Sequence, residues 1–463
     1  MYDLLVYQTN LYATQSGKSY TATDTKEIMH FLAINMMMGI KRMPSYVDYW
    51  SSDVALRDNY VANIMPLKRF SWLLSNLHLF DNHKLKKRNE KGFDKIQKVR
   101  PLIEILNKQF KGAYHGSQNQ AIDESMIKFK GRVGFKQYMP LKPIKRGYKL
   151  WVRADETGYV CQFELYTGKD PEKTQNTGGL GETVVKRMSA ELKGKSYNIF
   201  ADNFFSSIPL AKDLLDDKIG YCGTIRGNRK GLPEFAPDKN MKRGEYDWRM
   251  DSSGVSITKW KDNKGVLFVS NMHDPSEESP ISRRQKDGSI IVYPGTVVNR
   301  DYNKHMGYVD KADMMKSFYE LDRKSKKWWH RIFFHLLDVT VANSCIIYRQ
   351  VTQEKINLKS FKLSVIQGLA GAACMTPSSS KRRSSGKPWE EVGNNPKRHK
   401  TKIAPEIRID QSEHLPIRVE SSQRRCTHCS TKAQPHRTFY VCSVCKVPLC
   451  VNKRECFRKY HSK

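Results

Sequence analysis

The stretch KSYNIFADNFFSSIPL, residues 195–210, decides how this chain is read. Residues 197–201 form a short apolar strand that ends on an acid, Asp202. Asn203, Phe204, Phe205 and two serines follow, and Pro209 starts a helix. An acid at a strand-to-helix junction is commonly a cap or a turn residue. The alternative is a metal ligand, because α/β sheets place their chemistry at the carboxyl ends of strands. The segments on either side carry the choice further.

Upstream, QNQAIDESMIKFKGR (118–132) carries a short strand that ends on another acid, Asp123. GYKLWVRADETGYVCQFELYTG (147–168) alternates on both sides of an Asp155-Glu156-Thr157-Gly158 turn and reads as a β-hairpin. GETVVKRMSAELKG is an amphipathic helix, IPLAKDLLDDK the next helix and IGYCGTI another strand. The order is β, β-hairpin, α, β, α, β, an RNase H-like arrangement in which the first and fourth strands are neighbours. Their carboxyl ends then bring Asp123 and Asp202 side by side. After residue 228 the helical signal vanishes, and GEYDWRM, GVSITKW and GVLFVSN read as short antiparallel strands of an inserted β module. Helix resumes near Tyr302 and carries Asp310, with Asp313 one turn on. A long apolar helix follows, beginning at KKWWHRIFF.

Three acids converging from these places suit divalent metal. Transfer or hydrolysis of a phosphodiester needs an activated nucleophilic oxygen at one cation and a stabilised leaving oxygen at a second, ~3.5–4 Å away. Mg²⁺ prefers carboxylate oxygens, with Mn²⁺ the alternative. Asp313 is a fourth acid, a residue that orients Asp310, or a plain exposed helix acid. Glu124 points to the opposite face of its strand from Asp123 and is set aside as a ligand.

Composition agrees with a polyanion partner. The 463 residues hold 80 Lys plus Arg against 47 Asp plus Glu, a net charge of +33, with 39% hydrophobic residues, enough for more than one core. The amino terminus has no basic and apolar leader, and 31–40 is too short an apolar run to span a bilayer, so no membrane partner is expected. Lys128, Lys130 and Arg132 follow the first acid, and Lys142, Lys145, Arg146 and Lys149 precede the hairpin; all are candidates for phosphate contact. RKSKKWWHR (323–331) sets Trp328 and Trp329 in a basic run, a stacking platform for unpaired bases. One of the two is expected in the core, and Trp329 is the choice. Residues 376–424 are rich in Ser, Pro, Lys and Arg and read as a disordered linker. Its two basic clusters read as a nuclear import signal or a DNA tether.

Six of the ten cysteines crowd into residues 426–456. Cys426-x-x-Cys429 and Cys442-x-x-Cys445, then Cys450, Cys456 and His461, indicate zinc. These groups exceed one tetrahedral site, so two zincs in a cross-brace are expected. Cys426 and Cys429 would pair with Cys450 and a fourth ligand, His436 or His428; Cys442 and Cys445 would pair with Cys456 and His461. A single zinc ribbon on the four CxxC cysteines is the alternative.

AIDESMIKFKGR, MPLKPIKRGYKLW, FADNFFSSIPLAKDLL and YNKHMGYVDKADMM, in this order and with comparable gaps, closely resemble the signature blocks of the piggyBac family of DNA transposases. The resemblance covers roughly residues 1–370 and extends to the cysteine-rich end. It implies a catalytic triad of Asp123, Asp202 and Asp310, a fourth acid at Asp313, and an aromatic at Trp328. It also implies excision through a hairpin on the element's end, joining of the freed 3′-OH to a TTAA target, double-stranded DNA as partner, a homodimer, and end recognition by the zinc domain. Family members often carry a long acidic amino-terminal extension, whereas this chain opens almost at its folded part, as a shortened copy would.

The expected fold is mixed α/β. A helical dimerisation and DNA-binding region (1–116 and 321–375) flanks an RNase H-like core (117–227, closed by 297–320). A β insertion (228–296), the linker (376–424) and a cross-brace zinc module (425–463) complete it. Two rivals stand beside the transposase: a domesticated nuclear DNA-binding protein without transposition, and a different RNase H-type nuclease. A histone-tail reader or ligase adaptor would share the zinc chemistry but not the acids.

Overall fold

The computed structural model describes residues 1–168, 179–323, 325–371, 403–409, 413–420, 422–431, 433–452 and 454–462. Helices open the chain: α1 (Tyr2–Gln15), α2 (Thr25–Ile40), α3 (Asn59–Ile64), α4 (Leu67–Asn76) and α5 (Arg100–Ala113). Asp24 caps α2, its carboxylate accepting the Glu27 N–H at 2.8 Å. The strands follow: β1 (Asn119–Lys128), β2 (Gln137–Tyr138), β3 (Arg146–Asp155), β4 (Val160–Leu165), β5 (Asn198–Ala201) and β6 (Gly220–Ile225). Helix α6 (Leu180–Ser189) precedes β5, and α7 (Ile208–Asp216) precedes β6. Ser207 caps α7 by accepting the Leu210 N–H, with Pro209 in the first turn.

β4, β3, β1, β5 and β6 lie in that spatial order. β1 and β3 are antiparallel, whereas β5 runs parallel to β1, and β6 parallel to β5. This is the order expected from the sequence. The β3–β4 turn closes on Asp155, whose carboxylate accepts the Thr157 and Tyr159 N–H groups, and Gly158 takes φ +86°, which favours glycine. One face of the sheet packs on α6 and α7 through Ile122, Trp151, Ile199, Val184, Met188, Leu210 and Leu214, all buried. Each such apolar side chain contributes about 1.5–3 kcal/mol on burial.

The insertion is not a separate sheet. β7 (Tyr246–Met250), β8 (Ser256–Lys261) and β9 (Gly265–Ser270) extend the main sheet, because β9 pairs antiparallel with β6 from Cys222↔Ser270 to Ile225↔Leu267. The open backbone edge of β6 takes a partner, as an edge strand must to satisfy its N–H and C=O groups. Only β10 (Ile281–Arg284) and β11 (Ile290–Tyr293) stand apart, as a hairpin. The helix expected to run on from Tyr302 is two, α8 (Val297–His305) and α9 (Tyr308–Ser317), parted at Met306 and Gly307.

Helix α10 (Trp328–Thr352) is long and apolar enough to cross a bilayer by length and composition, but 61% of its apolar window is buried. Asn343 on α10 bonds both the N–H and the C=O of Val160, at 2.9 and 3.0 Å. Tyr148 donates to the Trp328 carbonyl at 3.1 Å. These bonds tie 321–358 to the sheet, and the chain accordingly forms two compact units, Ile103–Leu358 and Met1–Leu102 with Lys359–Lys463. The expected boundary at 116 moves to 102 because Asn107 on α5 bonds the N–H and C=O of Phe163 in β4.

The second unit also holds α11 (Leu358–Ala370), α12 (Pro405–Arg408), β12 (Pro416–Arg418), β13 (Arg424–Arg425), β14 (Arg437–Thr438), β15 (Tyr440–Cys442) and α13 (Cys456–His461). Most of 376–424, including both basic clusters, lies outside the described residues. Its end does not behave as a linker. Ile403, Ala404 and Ile407 are buried in one cluster with Leu11 and Tyr20 and the cysteines of the C-terminal module, and β12 pairs with β15.

Candidate active site and zinc module

β1 and β5 pair in parallel with Ile122 opposite Ala201, so an acid follows on each side, Asp123 and Asp202. Asp202 comes directly after the end of β5 as expected, whereas Asp123 does not end its strand, because β1 stays paired with β3 as far as Lys128. Asp123 is 9% exposed, and its carboxylate accepts the Glu124 N–H at 2.7 Å. Burial, reinforced by Glu124 and Asp202, pushes the Asp123 carboxyl up to about 8 against the pull of Lys142 and the Glu124 amide. Burial also raises Asp202, and Glu124 adds to this, while the Phe204 amide, Lys142 and Arg226 hold it back. Asp202 does serve as a turn residue, accepting the Phe204 N–H at 2.9 Å, so the two readings of the 195–210 junction hold together.

Helix α9 presents Asp310, which is exposed, and Asp313. Asp313 accepts a 2.7 Å hydrogen bond from Ser125 Oγ of β1, two residues beyond Asp123. Its carboxyl is raised by burial and restrained by Lys316 and Ser125. Lys316 is buried, 3.7 Å from Asp313 and 3.4 Å from His335 Nδ1 on α10, and burial first, then Lys316 and Arg331, drives the His335 imidazole well below its ordinary value. A cavity of about 20 Å³ lies beneath, lined in part by Ser125, Asp313, Lys316 and His335.

The acids gather round a cation of the chain itself. Lys142 Nζ lies 3.3 Å from Glu124 Oε1, and Lys149 Nζ 3.9 Å from Glu124 Oε2. Burial alone would lower Lys142, but Asp123, Glu124 and Asp310 outweigh it and raise its pKa. The three aspartates do not reach the tight spacing found in the C-terminal module, where ligand atoms lie within 4.8 Å of one another. Their hard oxygen donors, and the ammonium that stands in among them, fit a site for a divalent cation.

The expected phosphate-contacting residues divide. Lys130, Arg132, Lys145 and Arg146 are exposed, with Arg146 over the Tyr138 ring at 5.0 Å. Lys128 is exposed but pairs with Asp322 at 2.6 Å. Lys142 and Lys149 turn to the acids instead. Trp328 is half-buried, edge-on to Phe135 at 5.5 Å, and Trp329 is buried as expected. The sequence reading missed Glu124, Ser125, Lys316, His335 and Arg226. Strand alternation put Glu124 on the far face, yet its charge reaches Asp123 and Asp202, and it shares Lys142 with Asp123.

In the C-terminal module, two groups of ligand atoms converge: Cys426, Cys429, Cys450 and Cys456, and His414, Cys442, Cys445 and His461. The expected ligand sets therefore change. Cys456 joins Cys426, Cys429 and Cys450, and His414 joins the second group, whereas His436 and His428 belong to neither. The His436 backbone is engaged instead, its C=O accepting from Cys426 N–H at 2.8 Å. The pattern remains a cross-brace. His461 Nδ1 bonds the Phe457 carbonyl at 2.8 Å, and its buried Nε2 has no protein partner. That leaves Nε2 as the ligating atom, oriented by its neighbour. His414 Nδ1 lies 3.3 Å from Cys442 Sγ and 3.5 Å from Cys445 Sγ. Cys445, with His461 and His414 assisting against burial, lowers the Cys442 thiol to about 3, while burial and the neighbouring thiols push Cys456 up to about 12. Thiols so close cannot all ionise without a cation, a charge that zinc would supply to these eight ligands.

The Transposase IS4 family matches residues 1–345, and a DDE_Tnp_1-like zinc finger matches 410–462. The human PiggyBac transposable element-derived protein 3 is 28% identical over 99% of this chain and 74% of its own length. The human PiggyBac transposable element-derived protein 2 is 26% identical over the same shares. Among solved structures, the piggyBac transposase of a synaptic complex with hairpin DNA, determined by cryo-EM, superposes with a TM-score of 0.70 at 25% identity, over 98% of this chain and 93% of that one.

Proposed function

The chain belongs to the IS4-type, piggyBac-type transposase family, and we propose that it is a metal-dependent cut-and-paste DNA transposase. In this reading Asp123, Asp202 and Asp310 hold Mg²⁺ or Mn²⁺, and Asp313 fixes Asp310 through its bond to Ser125. The observation that carries it is the parallel register of β1 and β5, which sets Asp123, midway along β1, beside Asp202, just past the end of β5, with α9 nearby. The cations would activate the attacking oxygen and stabilise the leaving one. The chain's own residues do the rest. Lys130, Arg132, Lys145 and Arg146 bind phosphates without reading sequence. Trp328 offers its exposed part to an unstacked base at the hairpin tip. Asp123, buried and easily protonated, gives up its proton as a cation arrives.

The products would be hairpin ends followed by 3′-OH joining at TTAA, carried out by a homodimer because two ends must meet. Two zincs would hold the C-terminal module, which would read the end sequence, and the protein would act in the nucleus. A second reading has support in the relatives' own descriptions as transposable element-derived proteins: a DNA-binding protein that no longer transposes. An excision assay on a plasmid with candidate ends, comparing wild type and Asp202→Asn, separates the two. Wild-type cutting that drops by about 10³ or more in the variant, the scale of losing a metal's charge stabilisation, is expected. Equal cutting by both overturns the metal site, and no cutting by wild type favours the second reading.

A further inference from the structure

The acid cluster holds more carboxylate than a folded protein keeps uncompensated. Asp123, Glu124, Asp202, Asp310 and Asp313 all influence one another or share the same lysine neighbours. Like charges within electrostatic reach of one another repel unless a cation or a proton compensates them. Lys316 serves Asp313 from below, and Lys149 serves Glu124. Lys142 is the cation that Asp123, Glu124, Asp202, Asp310 and Asp313 all feel.

Lys142 and Lys149 are tethered differently. Lys149 is buried, with its ammonium 3.9 Å from the Trp151 ring centroid and 4.9 Å from that of Phe204, so aromatic faces hold it in place. Lys142 belongs to the segment joining β2 to β3, between Pro140 and Pro143, and its side chain is 29% exposed. Its ammonium is held by acids, on a flexible four-carbon stem open to solvent at one side. A second cation arriving at Asp123, Asp202 and Asp310 would repel it and take over the carboxylates that attract it, leaving Glu124 as its remaining partner. DNA contact alone does not explain a lysine turned inward, and Lys145 and Arg146 beside it already face solvent.

We propose that Lys142 is the resident counter-ion of the acid cluster, holding the carboxylates together in the metal-free protein and being displaced when a divalent cation binds. This rests on reading Asp123, Asp202 and Asp310 as a cation site. Once displaced, the ammonium is free to meet a DNA phosphate, so cation loading and phosphate binding become linked through one side chain. Lys142 is thus a positioning residue that competes with the first cation.

The test uses the full chain with its zinc retained. Mn²⁺ binding is titrated calorimetrically, and melting is followed with and without Mn²⁺, for wild type, Lys142→Met, Lys142→Arg and Asp202→Asn. Lys142→Met is expected to bind Mn²⁺ roughly tenfold tighter, the order expected on removing one like charge beside the ion. Its metal-free form should melt below wild type, and Mn²⁺ should raise its melting temperature by more than it raises that of wild type. Lys142→Arg keeps the charge and should melt like wild type without metal, which separates lost charge from misfolding. Unchanged or weaker Mn²⁺ binding in Lys142→Met, alongside lost binding in Asp202→Asn, overturns the inference alone. Equal Mn²⁺ binding by wild type and Asp202→Asn, or none by wild type, overturns the cation-site reading and the inference with it.

Discussion

The aspartate cluster and the cysteine-rich module both gather metal-binding side chains, and they are built in opposite ways. The aspartates come from β1, the end of β5 and α9, over almost 190 residues, and sit on a sheet with its own apolar core. The cysteines and histidines come from one short stretch, and Cys426, Cys442, Cys445 and Cys456 are themselves core residues. In the first, folding comes before the metal and must restrain acids that repel. In the second, the ligands are part of the interior, buried beside Val447, Leu449 and Tyr460, so a cation that joins them also holds that interior together.

This contrast is broken most sharply by chelation. Stripping zinc should unfold the C-terminal module, since zinc-finger peptides draw about 10–16 kcal/mol from the metal. The unit Ile103–Leu358 should keep its hydrogen-exchange protection under the same treatment. Simultaneous loss of protection in both would show that the sheet also depends on bound metal. A smaller effect tests the ligand sets. His414→Ser should lower bound zinc from two equivalents toward one, and His436→Ser should leave it unchanged, as read by metal analysis of the purified protein. The opposite result would restore His436 as a ligand.

Proton linkage sharpens the acid side. Asp123 has a folded value of about 8, against roughly 4 for an unfolded carboxyl. Between those values the folded chain binds the extra proton, so this group's contribution to metal-free stability falls as pH rises from about 4 to 8. Saturating Mg²⁺ should flatten the decline, because the cation replaces the proton. Melting curves across that window check it, and a metal-free profile that rises with pH would contradict the raised value. The smallest effect concerns the exposed rim. Replacing Lys145 and Arg146 by Ala should weaken binding to every DNA sequence alike and reduce the salt slope by roughly 1 to 2. An unchanged slope would mean that neither touches phosphate.

The same contrast explains how much could be read in advance. An acid beside an apolar strand is visible in sequence, so Asp123 and Asp202 and the order β4, β3, β1, β5, β6 were legible, but the length of β1 was not: it runs on past Asp123 to Lys128, because β3 pairs with it that far. The sequence also marked the CxxC pairs, since two residues between cysteines place both on one cation. It did not mark which later ligands joined which pair, because spacing leaves the connectivity open. His414 stood 12 residues before Cys426 in a polar stretch that reads as a linker. Lys142 and Lys149 were legible as cations but not in direction: a basic run beside a DNA-cutting site reads as outward-facing, and only the packing of Glu124 shows two of its members turned inward. The joining of β9 to β6 was hidden for a similar reason, since a short strand carries no sign of which edge it will complete.

The cluster that places Leu11 and Tyr20 with Ile407, Cys442 and Tyr460 has a consequence for synthesis. The first helix leaves the ribosome some 400 residues before the segment that covers it. The sheet between them has all its strands by residue 270 and its last packing helix by 352, and so it can close first. Until translation ends, one side of α1 stays bare, and a nascent chain stalled before residue 403 exposes an apolar surface that chaperones or proteases would recognise.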